Sequence, residues 1–420
     1  MTTASMTTGS KDQDDLWPRS FRLLYAAALI NGVGFHIGQL AVPVLAVSLL
    51  SAGPGEVGLL GALSTAAFLL IGLPAGVWVD RLPHRAVLVT TDLTRAALVA
   101  SVPVGWWAGW LTIPQLYLVV LLTGVATVFA DVAAQSYLPE LVGRRRLVAA
   151  NALMMSTGAT MQIAGRGLGG IVVQALTAPV AIVLDAVTFV VSGAILARIR
   201  AEAPRGRPPQ VPGGFVQQLG AGVRHVTGNP LLRPLALSTA SINLTMQLTT
   251  TLLPVVFLRE LGLGAAALGL FLGLGGIGAL LGAVTARPLA ERIGHGRALW
   301  LPGLLAGPLG GLVTLIDTGP MLWVAAVGWL ALAWRTGVGN VIGVSLRQGV
   351  TPDALLGRMN ATFRFLLTGA LTIGAVLAGV LGQYGGVRTT LVVGAIANAL
   401  TWLPVFCSPL RTLHRPPTVD

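Results

Sequence analysis

Long apolar blocks alternate with short polar, arginine-bearing stretches along nearly the whole chain. The blocks fall near 21–48, 57–79, 86–107, 115–137, 150–174, 179–198, 231–257, 265–288, 298–316, 321–346, 361–383 and 387–407. Each matches the ~20 residues that carry a helix across a hydrocarbon layer of ~30 Å. Lipid offers no partner to a backbone amide, so the blocks are predicted to be helices rather than open sheet. The pattern thus predicts an all-α membrane protein of 12 spans, with both ends on one side. Inside the blocks, small residues recur four apart, as in Gly72/Gly76, Gly165/Gly169 and Gly278/Gly282. That spacing lets helix backbones approach closely.

The longest polar interruption, 199–230, carries Pro204, Pro208, Pro209, Pro212 and Gly213–Gly214, then an amphipathic piece around Phe215–Val226. Such a stretch reads as a linker. It divides the chain into an N-terminal tail (1–20), a six-helix bundle (21–198), the linker (199–230), a second six-helix bundle (231–407) and a C-terminal tail (408–420). The halves echo one another: Pro139–Glu140 leading to Asn151 matches Pro352–Asp353 leading to Asn360. Two pseudo-symmetric bundles that rock about a central site are the expectation.

Charge orients this picture. Only 10% of the 420 residues are charged, against 54% hydrophobic, and mean hydropathy is +0.79. A net charge of +12 would suit a nucleic-acid binder, but the arginines form no single patch. They punctuate the loops after even-numbered spans: Arg81 and Arg85; Arg144, Arg145 and Arg146; Arg198, Arg200, Arg205, Arg207 and Arg224; Arg292 and Arg297; Arg411 and Arg415. The opposite loops hold essentially Arg259 and Arg388. By the positive-inside rule, both termini and the linker are cytoplasmic, and the protein is multi-pass in the inner or plasma membrane. The first block is preceded by Asp12, Asp14 and Asp15 and is too long for a cleavable signal core, so it reads as a retained anchor. One cysteine, Cys407, and five scattered histidines offer no metal or disulfide framework, and no cofactor is expected. No phosphate-binding loop is visible and Lys11 is the only lysine. Energy is therefore expected from an ion gradient.

The stretch Gly72-Leu-Pro-Ala-Gly76-Val-Trp-Val-Asp80-Arg81-Leu-Pro-His-Arg85 lies between spans two and three. It resembles the signature loop of the major facilitator superfamily. A degenerate copy, Glu291-Arg292-Ile-Gly294-His-Gly296-Arg297, lies between spans eight and nine, where an internal repeat requires it. Asp92 and Arg95 in span three, Asp131 in span four, Gln135-Ser-Tyr-Leu-Pro139 and Asp185 in span six are similar to the macrolide-efflux and siderophore-exporter branch. The resemblance runs from about 20 to 405 and implies alternating access with export by proton antiport. It departs in span five, where Gly165-Arg166-Gly-Leu-Gly169-Gly170 has arginine in the place of the proline that antiporters of the superfamily often carry.

An ionisable side chain at mid-bilayer costs roughly 2.5–3.5 kcal/mol, so each embedded charge needs a partner or a role. Asp80, Arg81, Arg85, Asp92, Arg95 and Asp131, with Gly76 at the helix end, are expected to form one network that locks spans two to four and braces an outward-open state. A static ion-pair cluster without switching and a direct substrate role are the alternatives. Arg166 and Asp185 fall at matched depth on consecutive spans and are expected to pair, either structurally or for proton coupling. Arg335, near the middle of span ten, has no Asp or Glu within a span of its own half. A substrate anion, a carboxylate of the other half such as Asp131, water, or backbone capping could satisfy it.

In this superfamily spans one, four, seven and ten line the central cavity. Asn31, His36, Gln39, Asn243, Gln247, Arg335 and Asn340 are the candidate cavity residues on that reading, with ordinary helix packing as the alternative for each. The function expected is secondary export of a small amphipathic drug, metabolite or siderophore. An importer of the same fold and a non-transporting sensor are the rival readings. No nucleophile–base set argues for an enzyme. The partners expected are a small-molecule substrate, protons and the lipid bilayer, with no nucleic acid, and the chain is expected to act as a monomer.

Overall fold

The computed structural model describes residues 17–200 and 215–414. Most of the predicted N-terminal tail, the proline-rich part of the linker and the end of the C-terminal tail lie outside those residues.

Helices account for almost all of the described chain. The first half holds α1 (Arg19–Ser48), α2 (Pro54–Val79), α3 (His84–Trp107), α4 (Ile113–Leu176) and α5 (Ala178–Ala197). After the linker comes a short helix, α6 (Phe215–Gly228), where the amphipathic piece was expected. The second half holds α7 (Leu232–Thr250) running into α8 (Leu253–Val255) and a π turn (Val256–Glu260). There follow α9 (Ala265–Ile293), α10 (His295–Gly310) with a 3-10 turn (Gly311–Leu315), α11 (Pro320–Gly349), α12 (Asp353–Gly385), α13 (Val387–Ala399) and α14 (Leu403–Phe406).

Helix α4 contains two predicted spans. Gly143, at φ +70°, breaks it into a first arm and a second arm. A side chain with a Cβ rarely adopts that backbone, which is why a glycine stands at the turn. The loop expected around 138–149 is therefore absent. Polar residues such as Glu140 and Arg145 continue the helices beyond the apolar blocks, and α12 likewise starts at Asp353 instead of 361. Hydrophobicity marks where lipid ends, not where the backbone hydrogen bonds end.

Eleven described helical segments are long and apolar enough to cross a membrane. The second arm of α4 is long enough but carries Gln162, Arg166, Gln174 and many small residues, so it falls short on apolarity; a 12-span fold is consistent with this. Leu70, Trp107, Leu168, Val284 and Trp323 are exposed at the periphery, as lipid-facing side chains are.

The halves meet at the end of the molecule opposite the arginine-rich loops. There Gly58 of α2 lies against Gly379 of α12. A Cβ at Gly170 in the second arm of α4 would lie 2.6 Å from the Ala265 carbonyl oxygen of α9. Arg259 donates to the carbonyls of Ala52 (3.0 Å) and Val47 (3.5 Å). The Ala266 amide donates to Gln174 Oε1 at 2.8 Å, and the Gly55 amide to Gln383 Oε1 at 3.3 Å. Deeper in, Thr65 of α2 and Thr372 of α12 bond at 2.8 Å. Toward the arginine-rich end the packing opens. A Cβ at Gly76, Gly158, Gly339, Gly343 or Gly357 would meet nothing within 4 Å, and Val148 and Met155 are largely exposed. The central space is a wedge, shut at one end and open at the other.

Candidate functional site

Where the wedge narrows, α12 carries Arg364 across to the first half. Its guanidinium lies 4.3 Å from the centroid of the Phe68 ring of α2 and 3.8 Å from Asp131 Oδ2 on the first arm of α4. Both charged side chains remain about half exposed, so water reaches the pair. Of the inter-half bonds named here, this one lies nearest the open end.

The six charged residues expected to form one lock separate into three groups. Asp92 and Arg95 form a buried ion pair on α3. Ser192 of α5 donates to Asp92 Oδ2 at 2.6 Å, and the Asn31 amide of α1 donates to both Asp92 oxygens and to Ser192 Oγ at 3.1–3.4 Å. The Arg95 guanidinium also stacks 4.5 Å over Phe189. Arg85 donates to the carbonyls of Leu196 and Ala197, where its charge suits the C-terminal end of α5. Asp80 and Arg81 are exposed, and Gly76 faces open space. Asp131 belongs to the third group, with Arg364. The expected single network fails because Asp92 turns toward α1 and α5 while Asp131 turns toward the other half.

Arg166 and Asp185 form no ion pair within 4.0 Å. Consecutive spans at equal depth need not touch: α1 is wedged between them. A Cβ at Gly165 would lie 2.8 Å from His36, whereas Gly34 and Gly38 pack on the Asp185 carboxylate from the other side of α1. Asp185 is buried, and its Oδ1 has no hydrogen-bond partner. His36 lines a crevice of about 160 Å³ between α1 and the second arm of α4, with Met154, Met161 and the Tyr25–Thr157 hydrogen bond (2.7 Å).

Arg335 is turned away from the wedge and buried. It donates to Asn398 Oδ1 at 2.6 Å, to the Asn398 carbonyl at 3.3 Å and to Thr401. Asn398 in turn donates to Thr245 of α7 at 3.0 Å. The chain breaks helix between α13 and α14, and the arginine ties the break to α11 chiefly through the Asn398 amide oxygen and the Thr401 hydroxyl, with a longer bond to the Asn398 carbonyl. These groups, not Asp131, are its partners. Replacing Arg335 with Leu should therefore cost on the order of 2 kcal/mol, the value of a hydrogen bond to a charged group. A lowered melting midpoint of the purified protein is the expected readout; an unchanged midpoint would remove this structural role.

Of the remaining candidates, Gln39 and Asn340 are exposed. Asn243 donates to the Thr239 carbonyl of its own helix at 2.8 Å. Gln247 packs against Gly374, near the junction of α2 and α12. Asn31 serves Asp92 rather than the cavity. The second-half loop motif also departs from its expected role. Glu291 pairs with exposed Arg287 at 2.8 Å, Arg292 and Arg297 are exposed, and Gly294 and Gly296 hold the chain's own C-terminal segment. The Gly296 amide donates to the Leu413 carbonyl at 2.8 Å. Arg364 is the charged residue the sequence reading passed over, although it lies inside the predicted span 361–383. Among the described residues, no group of three His, Cys, Asp or Glu side chains is placed to hold a metal ion.

Two similar helical bundles, closed at one end over a wedge with charged groups at mid-depth, define a membrane transporter of the major facilitator fold. Residues 15–416 match the family described as transmembrane secretion effectors, and the chain belongs to that family. It is 27% identical over 367 residues to an enterobactin exporter, EntS, of Escherichia coli, covering 86% of this chain and 85% of the relative. It is 27% identical over 365 residues to EntS of Salmonella typhimurium, covering 86% of each. Among solved structures, a bacterial homologue of the human lysosomal transporter Spinster, inward-facing and unoccupied, superposes with a TM-score of 0.71 at 14% identity, covering 95% of this chain and 97% of that one. A bacterial homologue of the iron transporter ferroportin, inward-facing, gives 0.71 at 20% identity, covering 93% and 98%.

Proposed function

We propose that the chain exports a small amphipathic organic molecule, a drug or a siderophore-like metabolite, by alternating access coupled to proton entry. The observation that carries this reading is the wedge open at the arginine-rich end, with the Asp131–Arg364 pair spanning it where it narrows. By the positive-inside rule that end, and both termini, face the cytoplasm of a cell bounded by this inner or plasma membrane. The conformation is then open to the compartment from which an exporter loads. The similarity to enterobactin exporters supports the direction and a secreted metabolite as cargo. The protein works as a monomer in this scheme.

Two carboxylates are candidates to carry the proton. Asp185 is buried behind α1, whereas Asp131 is reached by water and bonds across the two halves. A proton on Asp131 removes the attraction to Arg364 and so changes the balance between the two arrangements of the halves. Asp131 is therefore assigned the coupling role.

The test uses cells stripped of their own pumps and expressing the full chain. A panel of fluorescent drugs, with enterobactin measured in the medium, should show at least one compound leaving faster than in control cells. An uncoupler should abolish the difference. Faster accumulation would favour the importer reading, and no difference for any compound would defeat export.

A further inference from the structure

We infer that Arg166, at the roof of the wedge, is a recognition site for an oxyanion on the transported molecule. The inference rests on the reading of the wedge as the substrate path.

The second arm of α4 has two exposed stripes. One, Thr160, Ala164, Leu168 and Ile171, is mostly apolar and faces lipid. The other, Met155, Ala159, Gln162 and Arg166, repeats at three- and four-residue spacing on the opposite side. Between the stripes the helix is gripped on both flanks. Gly165 packs on His36 of α1, and Gly170 on Gly269 of α9. α1 and α9 belong to different halves, so one of the two stripes between them faces the central space and the other lipid; the polar stripe with Gln162 and Arg166 is assigned to the central space, because a charge on the lipid side would be costly. At 1.5 Å per residue, Arg166 lies about 15 Å from the Leu176 end of the helix.

Of the other embedded charges of the first half, Arg95 holds Asp92 and Arg364 holds Asp131, while Asp185 is buried without a partner for its Oδ1 and is screened from Arg166 by α1. Among the described residues Arg166 finds neither a hydrogen-bond nor an ion-pair partner, and it is part-buried. A guanidinium left without an acceptor at this depth is complemented by an anion from outside. Its planar fork suits a carboxylate, phosphate or sulfonate, and the Gln162 amide one turn away adds a donor. Met155 and Ala159, further toward the open end, offer an apolar surface to the rest of such a molecule. The preferred substrate is therefore an amphipathic anion, not the lipophilic cation that a carboxylate-lined cavity would select.

The experiment uses the full chain in lipid nanodiscs and two xanthene dyes of similar shape and opposite charge, fluorescein and rhodamine 6G, followed by fluorescence anisotropy. Fluorescein should bind at least about tenfold more tightly than rhodamine 6G, the scale of one hydrogen-bonded charge. Arg166→Gln should lose about tenfold for fluorescein with little change for rhodamine 6G. Arg166→Lys, which keeps the charge and loses the fork, should fall between and serves if the glutamine variant does not fold. Equal or better binding of the cation, no fluorescein binding by the wild-type protein, or unchanged fluorescein affinity in both variants overturns the anion site. Export failing while the anion preference holds would instead count against the transport direction proposed above and leave the site in place.

Discussion

Asp131→Asn should abolish uphill export while leaving the protein in the membrane in near-normal amounts. The side chain is half exposed, so its loss disturbs no packed core. What disappears is the charge that answers Arg364 across the two halves and, in the proposed cycle, the group that takes up the driving proton. Water in the wedge screens the pair, so its static worth is about 1 kcal/mol or less. Stability should barely change. Coupling is a different quantity: without a titrating carboxylate the substrate and proton gradients become independent. Proteoliposomes carrying Asp131→Asn should still equilibrate substrate down its gradient within a few-fold of the wild-type rate. They should build no substrate gradient from an imposed pH difference. Arg364→Gln should weaken the same step, and exchanging the two residues should recover part of it. Full pH-driven accumulation by Asp131→Asn would move the coupling role to Asp185.

The second large effect is expected at the closed end. Valine at Gly58 would drive side-chain atoms into Gly379, and valine at Gly269 would meet the Arg166 carbonyl, 2.7 Å from where its Cβ would sit. Overpacking of this kind costs about 1–3 kcal/mol, and here the cost falls only on the conformation in which those helices touch. The equilibrium should move roughly fivefold to more than a hundredfold toward a state open at the other end. Transport should fall at least tenfold. A cysteine in place of buried Thr251, in a Cys407→Ser background, reports on the seal. With Gly58→Val present, a membrane-impermeant maleimide added from outside should label it at least tenfold faster. Unchanged labelling together with unchanged transport would mean that the glycine contacts do not form the outer seal.

Much of the architecture was legible because lipid imposes a simple rule: apolar length spells a crossing, and arginine position spells a side. The observed helices α1, α2, α3 and α5 begin and end within a few residues of the apolar blocks. The α4 turn departs from the apolar pattern, since Gly143 bends a helix that polar residues carry well past the hydrocarbon. Partnerships were harder. Depth along a span follows from counting, but the direction a side chain takes around its helix, and which helix stands next to it, depend on tertiary packing. Arg166 and Asp185 shared a depth and were still separated by α1. Arg335 has no carboxylate in the spans of its own half, and the Asn398 amide and Thr401 hydroxyl that serve it are brought to it only by the packing of the segment where α13 ends. Arg364 went unremarked because its partners, Phe68 and Asp131, lie some 230 to 300 residues away in sequence.

The glycines of α1 restrict how the first half can change shape. Gly34 and Gly38 leave room for the Asp185 carboxylate, while Asn31 on the same helix holds Asp92. A screw motion of one residue in either direction would bring Phe35 and Gln39, or Val33 and Ile37, against that carboxylate, and would pull the amide off Asp92. Neither replacement fits the space that glycine leaves. Sliding of this helix past its neighbours is thereby resisted. In the proposed cycle, the packing favours tilting of the first bundle as one piece with this register kept.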